Sequence, residues 1–216
     1  VAVMVGGAVA ATVGLAGTIG CRYSKSRWEI PLKMIASTGF LTIAIAGGAF
    51  SLTYGQIVFA GLCLCWYGDL ALALPGQKWF LSGLVSFLLG HVAFVAAFVL
   101  RGVTAPYALG TLAVIAVVAV VVVRWLYPKL PGEMRVPVLA YVVVISAMVI
   151  TAGGTQGVHP NPFLIAGAVA FFISDIFVAR DRFVAPGFLN TLIGLPIYYL
   201  GVILIAFSIA REAAAL

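Results

Sequence analysis

The feature that most constrains this chain is a series of eight apolar stretches, each long enough to cross a bilayer as a helix. Crossing the hydrocarbon core takes about 20 apolar residues in a helix. The predicted spans are residues 1–20, 31–50, 57–74, 79–99, 107–123, 136–152, 162–179 and 188–210. Apolar residues run continuously without alternating, which excludes the strands of a membrane barrel. The sequence therefore predicts an all-α, polytopic membrane protein in which residues 1–216 form a single transmembrane domain.

Charged residues are too few for a soluble fold. Of the 216 residues, 64% are apolar and only 8% are charged, whereas a soluble domain is about 25% charged. An aromatic content of 12% argues against disorder. The net charge of +6 does not indicate nucleic-acid binding, because the basic residues lie in short gaps between the spans. We expect the lipid bilayer as a partner and no nucleic acid.

The basic residues are distributed unequally between the two sides of the predicted bundle. Nine lie after spans one, three, five and seven, namely Arg22, Lys25, Arg27, Lys78, Arg124, Lys129, Arg135, Arg180 and Arg182. The opposite side holds only Arg101 and Arg211. Because basic loops tend to stay in the cytoplasm, we predict a cell-membrane protein with both termini extracytoplasmic. No basic residue precedes the first span, which is atypical of a cleaved signal peptide.

Several residues recur at an offset of 106 positions. The recurring residues are Pro31 and Pro137, Ala60-Gly61 and Ala166-Gly167, and Gly68-Asp69 and Ser174-Asp175. Because this offset is nearly half the chain, we predict an internal repeat with halves 1–104 and 105–216. Four helices in each half would make the halves parallel, related by an axis along the membrane normal. The two aspartates would then lie at matching depth.

Small residues at four-residue spacing indicate where helices meet. One stripe consists of Gly6, Ala10, Gly14 and Thr18, and a second consists of Ser82, Ser86 and Gly90. Such stripes let helix backbones approach closely in lipid, so we expect packing contacts along both.

Four ionisable side chains fall inside the predicted spans: Lys33, Asp69, His91 and Asp175. An ionisable group in lipid is costly and indicates a functional site by default. Structural alternatives exist for each of them. Lys33 can reach the surface or pair with Glu29, and His91 can bond a neighbouring helix. Either aspartate can form a purely structural ion pair with Lys33.

Two carboxyl groups in one dry layer suit acid–base chemistry. Burial and mutual repulsion favour a single proton on the pair, so one carboxyl can act as an acid while the other orients water. Serine and zinc chemistry fit less well, because the chain has neither a G-x-S-x-G nor an H-E-x-x-H motif and His159 lies in a loop. The cysteines fit packing roles. We expect no metal and no cofactor.

Two blocks of sequence are similar to a known family. The stretch from Phe59 to Phe98 contains a Gly-Asp pair in one span and a Gly-His pair in the next, and the block from Ala166 to Phe183 contains a Ser-Asp pair. With these motifs, nearly the whole chain resembles the YhhN-type lysoplasmalogenase family. The resemblance implies an eight-helix membrane hydrolase. Its substrate would be a lysophospholipid, lysoplasmalogen, whose vinyl ether bond is cleaved to give a fatty aldehyde and a glycerophospho head group.

The resemblance also implies roles for individual residues. The catalytic carboxyls would be Asp69 and Asp175, with Asp69 as the acid and Asp175 as the water-orienting base, or the reverse. The implied substrate contacts are Lys33, Tyr67, His91, Ser174 and Tyr198. The family's Lys-Pro-Leu at the start of span two is replaced here by Ile30-Pro31-Leu32, with Lys33 following. The role of the family lysine therefore does not carry over directly.

A small proton-coupled transporter is the alternative function. Internal repeats and intramembrane aspartate and histidine residues also fit a carrier. Gly90 and Pro196 are related by the same offset of 106 residues, and helix interruptions at matching positions can mark a transport site. A non-catalytic lipid-binding subunit would leave the intramembrane carboxyls without a role.

Overall fold

The computed structural model describes residues 1–214, and this part of the chain forms eight long helices. They are α1 (Ala2–Tyr23), α2 (Glu29–Ala46), α3 (Thr53–Ala73), α4 (Gln77–Arg101), α5 (Ala105–Leu126), α6 (Arg135–Gly154), α7 (Pro162–Phe183) and α8 (Phe188–Ala213). All eight helical segments are long and apolar enough to cross a membrane. The predicted all-α polytopic fold is confirmed, while the last two positions of the predicted domain, 215 and 216, lie outside the described residues.

The ends of α2 differ most from the predicted boundaries. The helix begins at Glu29 rather than at residue 31 and ends at Ala46 rather than at residue 50. Pro31 lies in its first turn, where a proline removes no intrahelical hydrogen bond. At the other end the backbone turns through Gly48, whose φ of 90° is accessible to glycine and costly for other residues.

Consecutive helices pack as antiparallel hairpins: α1 with α2, α3 with α4, α5 with α6, and α7 with α8. Between the hairpins, α2 packs against α3 and α8, and α6 packs against α7 and α4. Adding four to each helix number turns the α2–α3 pair into the α6–α7 pair, and it turns the α2–α8 pair into the α6–α4 pair, because α8 is followed by α4 in this numbering. The repeat requires this correspondence. The packing of α8 against α1 and α3, however, has no counterpart of similar extent among the described residues. The four-plus-four repeat therefore stays a prediction.

The backbones of α1 and α2 approach closely through glycine. A Cβ added to Gly7 would lie 2.8 Å from the main-chain oxygen of Gly39. The buried residues of α1 are Gly7, Ala11, Gly14 and Thr18. The predicted stripe is thus right at Gly14 and Thr18 and wrong at Gly6 and Ala10. A period of 3.6 residues shifts the packed face relative to a strict four-residue spacing.

We expect Gly7→Leu to lower the free energy of unfolding by about 1–3 kcal/mol, because the new side chain must push α1 away from α2. Gly6→Leu is the matched control, since a Cβ at Gly6 meets no atom within 4 Å. It should change the free energy of unfolding by less than about 0.5 kcal/mol. Unfolding by SDS titration in mixed micelles measures both, and equal losses would contradict the described contact.

The two ends of the bundle differ in charge. The basic end, as we call the end with the nine basic residues, contains the α1–α2, α3–α4, α5–α6 and α7–α8 connections. At the opposite end, Arg101 of α4 donates to Glu212 of α8 at 2.6 Å, and Asn161 donates to the same carboxylate at 3.0 Å. The Arg101 side chain is only 4% exposed. Arg101 is therefore not a free loop charge as expected, because Glu212 compensates it in a partly buried pair.

Candidate active site

A cavity of about 360 Å³ reaches from the basic end into the bundle. Near the surface its wall includes Arg22, Glu29 and Asp181, and deeper in the bundle it includes Asp69 and Asp175. Apolar side chains of α4, α6, α7 and α8 supply most of the rest of the wall. A small-molecule site has these properties: it is concave and largely apolar, with a few polar groups inside.

Asp69 of α3 is held in a buried ion pair. The ammonium of Lys33 lies 3.2 Å from Oδ1 and donates to the main-chain oxygen of Asp69 at 2.9 Å. The other oxygen, Oδ2, accepts from the hydroxyls of Ser37 and Tyr198, both at 2.7 Å. The Asp69 side chain is 2% exposed. Both of its carboxylate oxygens are therefore engaged by the protein itself.

Tyr199 of α8 also contributes hydrogen bonds to the surroundings of this ion pair. Its hydroxyl lies 2.9 Å from the Ser37 hydroxyl and donates to the main-chain oxygen of Lys33 at 3.1 Å. Tyr199 is 1% exposed, and Tyr198 beside it is 6% exposed. Successive tyrosines of one helix thus contact the two partners of the pair. The network connects α2, α3 and α8.

Asp175 of α7 has fewer partners. Its Oδ2 accepts a hydrogen bond from Tyr141 of α6 at 2.6 Å. Ser174, the preceding residue, donates instead to the carbonyl of Phe171 at 2.7 Å. The hydrogen bonds of residues 1–214 thus leave Oδ1 of Asp175 free, and the side chain is 17% exposed. This carboxyl can be reached from the cavity.

His91 of α4 faces Asp175 from within the protein. Its Nε2 lies 3.9 Å from Oδ2 of Asp175 and has no hydrogen-bond partner in the described chain. Its Nδ1 lies 2.6 Å from the carbonyl of Phe87. A carbonyl can only accept, so Nδ1 carries the hydrogen and Nε2 of the neutral ring is an acceptor. The ring packs edge-on against Tyr141 and Phe171.

The structure brings six of the seven predicted site residues together. Those that line the cavity are Lys33, Asp69, Ser174, Asp175 and Tyr198. His91 contacts Asp175 at the same site. Tyr67 lies elsewhere, because its side chain is 40% exposed and its hydroxyl is 2.9 Å from that of Ser82. A substrate contact at Tyr67 stays a prediction.

The contacts of Lys33 decide between the structural alternatives that the sequence left open. Lys33 is 9% exposed and pairs with Asp69, so the ion pair with an aspartate forms and Lys33 neither reaches the surface nor pairs with Glu29. Glu29 pairs instead with Arg22 at 3.2 Å. Each aspartate has its own set of partners, and among the described residues no hydrogen bond joins the two carboxyl groups. The expectation that the two carboxyls retain a single proton stays a prediction.

Sequence reasoning named Tyr198 but missed three other hydroxyl side chains around the carboxyls, namely Ser37, Tyr141 and Tyr199. A hydroxyl inside an apolar helix is common, because it can bond the carbonyl one turn earlier in its own helix. A positional signal did exist. Ser37 lies one turn after Lys33 on the same face of α2, and Tyr141 lies one turn after Pro137, the repeat counterpart of Pro31.

Comparison with known proteins assigns the chain to a family. The family profile described as the YhhN family matches residues 28–209, which include α2 to α7 and most of α8. The chain belongs to the YhhN family. The resemblance noted from the sequence motifs is thereby confirmed. The match begins after α1, and no solved structure matches the chain.

Several curated relatives of this YhhN-family chain share one name. A protein of Mycobacterium tuberculosis named lysoplasmalogenase is 32% identical over 137 residues, which are 61% of this chain and 51% of that protein. The bovine protein named lysoplasmalogenase TMEM86A is 30% identical over 177 residues, which are 78% of this chain and 72% of the relative. The chain spans about half the length of the mycobacterial relatives that it matches.

We expect Lys33→Met to lower the free energy of unfolding by about 3–5 kcal/mol, because it leaves Asp69 buried without its counter-ion. The double variant Lys33→Met/Asp69→Leu removes both charges and should recover most of that loss. Lys78→Met, at an exposed position of the basic end, is the control for loss of a lysine. SDS titration of the three purified variants measures these differences. An unfolding curve of Lys33→Met that coincides with that of Lys78→Met would contradict the buried pair.

Proposed function

We propose that this chain is a membrane-embedded lysoplasmalogenase. It hydrolyses the vinyl ether bond of a lysoplasmalogen, or of a related lyso-ether lipid, to a fatty aldehyde and a glycerophospho head group. The proposal rests on Asp175, a partly exposed carboxyl that lines an apolar cavity beginning at the charged end of the bundle and whose Oδ1 has no hydrogen bond among those of residues 1–214. Relatives that are named lysoplasmalogenase support the same activity, and they favour it over the transporter alternative.

Vinyl ether hydrolysis begins with the transfer of a proton to carbon. The carbon of the double bond that is remote from the ether oxygen takes the proton, which leaves an oxocarbenium-like cation at the other carbon. Water then adds to this cation and loses a proton, and the hemiacetal breaks into an aldehyde and an alcohol. One water molecule is consumed, and the protein recovers the proton that it gave. The reaction therefore needs a well-placed acid and a held water molecule.

The contacts favour Asp175 as the acid, the second of the two assignments that the sequence left open. Its Oδ1 is free to approach a substrate carbon, while Tyr141 fixes the orientation of Oδ2. Nε2 of His91 lies 3.9 Å from Oδ2, which is beyond hydrogen-bond distance, so it does not engage Oδ1 either. Once Asp175 has given up its proton, the carboxylate lies beside the cation it created and stabilises it.

Asp69 is the better candidate for positioning water. Both of its oxygens already have partners, so it offers no proton of its own to the cavity. Tyr198 donates its hydrogen to Asp69 and lines the cavity, which leaves the lone pairs of its hydroxyl oxygen to accept a hydrogen from water. Through Tyr198, the ion pair of Lys33 and Asp69 fixes where that water is held.

We expect Asp175→Asn to lower kcat for aldehyde release by about 10²–10⁴-fold, the usual contribution of a general acid, and to leave KM within about twofold. Asp69→Asn should lower kcat less than Asp175→Asn does, because it disturbs the position of the water held by Tyr198 and leaves the acid in place. The assay measures fatty aldehyde released from an alkenyl lysophospholipid by the purified protein in detergent. Unchanged aldehyde release by Asp175→Asn would rule out this mechanism.

Tyr141→Phe tests the orientation of Asp175 separately. We expect kcat to fall by about tenfold, the equivalent of one charge-assisted hydrogen bond. Tyr107→Phe, at a position on α5 that is 55% exposed, is the matched control and should leave kcat unchanged. Equal kcat values for the two variants would contradict a positioning role for Tyr141.

We further propose that the basic end faces the cytoplasm of a cell membrane and that both termini are extracytoplasmic, as the loop charges predict. In a variant without its native cysteines, Lys25→Cys should resist a membrane-impermeant maleimide in intact cells and react after lysis. Val158→Cys, at the opposite end and 39% exposed, should react in intact cells. The opposite labelling pattern would reverse the orientation.

A further inference from the structure

The mouth of the cavity, formed at the basic end by Arg22, Glu29, Asp181 and Arg182, has balanced charges. Arg22 of α1 lies between two carboxylates: its Nη1 is 3.2 Å from Oε1 of Glu29, and its Nη2 is 3.8 Å from Oδ2 of Asp181. Two positive and two negative side chains leave the mouth with no net charge. Such a mouth complements a ligand that is itself zwitterionic better than one with a net negative charge.

Resting on the proposed function, we propose that the mouth is a head-group subsite for a zwitterionic phosphodiester with a primary ammonium group. Arg22 binds the phosphate, and Glu29 binds the ammonium. The reacting carbon of the same lipid lies deeper in the cavity, at Asp175. Arg22 and Glu29 thus determine head-group specificity, and the carboxyls in the membrane perform the reaction.

Of the two arginines, Arg22 is the one that can turn to a phosphate. Arg182 donates to Gln77, and its guanidinium carbon lies 4.2 Å from the centroid of the Phe80 ring, so it is occupied on two sides. The Arg22 side chain is 44% exposed and is held only by carboxylates that are themselves partly exposed. Ion pairs of that kind are weak and easily exchanged. The planar guanidinium can bind two phosphate oxygens at once.

Glu29 is the carboxylate that becomes available when Arg22 moves. Within residues 1–214 its side chain pairs with Arg22 alone. Asp181, in contrast, is fixed by the backbone N–H of Gly187 and the side-chain amide of Asn190, each at 2.9 Å. Binding of the head group thus exchanges the Arg22–Glu29 pair and the longer Arg22–Asp181 contact for two pairs with the ligand.

The mouth suits a primary ammonium better than a quaternary one. A primary ammonium donates hydrogen bonds to carboxylates, whereas quaternary ammonium groups are recognised on the faces of aromatic rings. The Phe80 ring at the mouth has Arg182 over one face and packs edge-on with Phe183. One face of this ring is therefore already covered by a cation of the protein itself.

Arg22 also lies outside the part of the chain that matches the family. The match begins at residue 28, whereas α1 contributes both Thr18 and Arg22 to the wall of the cavity. The carboxyls Asp69 and Asp175 lie inside the match. The proposed phosphate-binding arginine therefore lies outside the region that matches the family.

The test measures kcat and KM of the full chain in nanodiscs with alkenyl lysolipids that differ in head group: phosphoethanolamine, phosphocholine or a phosphate monoester. Arg22→Gln should raise KM for the phosphoethanolamine lipid by about tenfold, with kcat within about twofold. Arg22→Lys should give a KM between those of Arg22→Gln and the unchanged chain, because lysine keeps the positive charge but lacks the planar guanidinium that binds two phosphate oxygens at once. Glu29→Gln should raise KM for the phosphoethanolamine lipid and leave KM for the monoester unchanged.

The matched control is Lys25→Gln, which removes one positive charge from the same connection at a residue that does not line the cavity. It should leave every KM unchanged. If Arg22→Gln and Lys25→Gln give the same KM values, the subsite is overturned. It is also overturned if Glu29→Gln changes KM for the phosphoethanolamine lipid and for the monoester equally.

A binding measurement separates the subsite from the proposed reaction. A saturated 1-O-alkyl lysophosphoethanolamine has no vinyl ether and so is not hydrolysed by the proposed chemistry. We expect it to bind the unchanged chain and Asp175→Asn alike and to bind Arg22→Gln about tenfold more weakly. Arg22-dependent binding without aldehyde release from any alkenyl lipid would support the subsite and refute the proposed function. Aldehyde release from an alkenyl lipid, together with binding of the alkyl lipid that does not depend on Arg22, would support the proposed function and refute the subsite.

Discussion

A lysine and an aspartate can lie in the apolar centre of a membrane bundle only if each compensates the charge of the other, and the centre of this fold depends on one such pair. Lys33 and Asp69 join α2 to α3 across 3.2 Å. The hydroxyls of Ser37 and Tyr198 then occupy the second oxygen of the carboxylate. A buried ion pair recovers its desolvation cost only when the remaining polar atoms are bonded in this way. Asp175 has no such counter-ion among residues 1–214, and it is the carboxyl that we propose to react.

The division between a bonded and a reactive aspartate has a counterpart in the arrangement of the helices. Asp69 is contacted from α2 and α8, and Asp175 is contacted from α6 and α4. These helices exchange when their numbers shift by four. The lysine has no such counterpart, because the position 106 residues after Lys33 is Leu139. Under the predicted repeat, one half holds the ion pair and the other half holds the proposed acid.

The sequence predicted those features that are expensive in lipid. Eight apolar stretches required eight helices, and Asp69 and Asp175 stood out because a carboxylate in a bilayer is costly wherever it lies. A hydroxyl in a bilayer has a low free-energy cost, because it can bond a carbonyl of its own helix. Ser37 and Tyr141 therefore did not stand out in the sequence. The sequence also could not give the helix rotations. A difference of one residue in α1 separates the predicted Gly6 from the packed Gly7, and only the packing against Gly39 decides between them.

The choice between charge partners was likewise beyond the sequence. For Lys33 the sequence left open both Glu29, one turn away in its own helix, and an aspartate of another helix, and the structure shows the pair with Asp69. Arg101 and Glu212 are 111 residues apart and form a buried pair at the opposite end of the bundle. Partners this distant in sequence are brought together by helix packing, which hydropathy and loop charge do not encode.

The central claim is that a carboxyl in this cavity gives its proton to a vinyl ether carbon, and deuterium labelling tests it most directly. The purified chain is incubated in D₂O with an alkenyl lysophospholipid, and the aldehyde is trapped at once and analysed by mass spectrometry. We expect an aldehyde with a single deuterium on the carbon next to the carbonyl, and its loss in Asp175→Asn. An aldehyde without deuterium, or no aldehyde from the unchanged chain, would contradict the account.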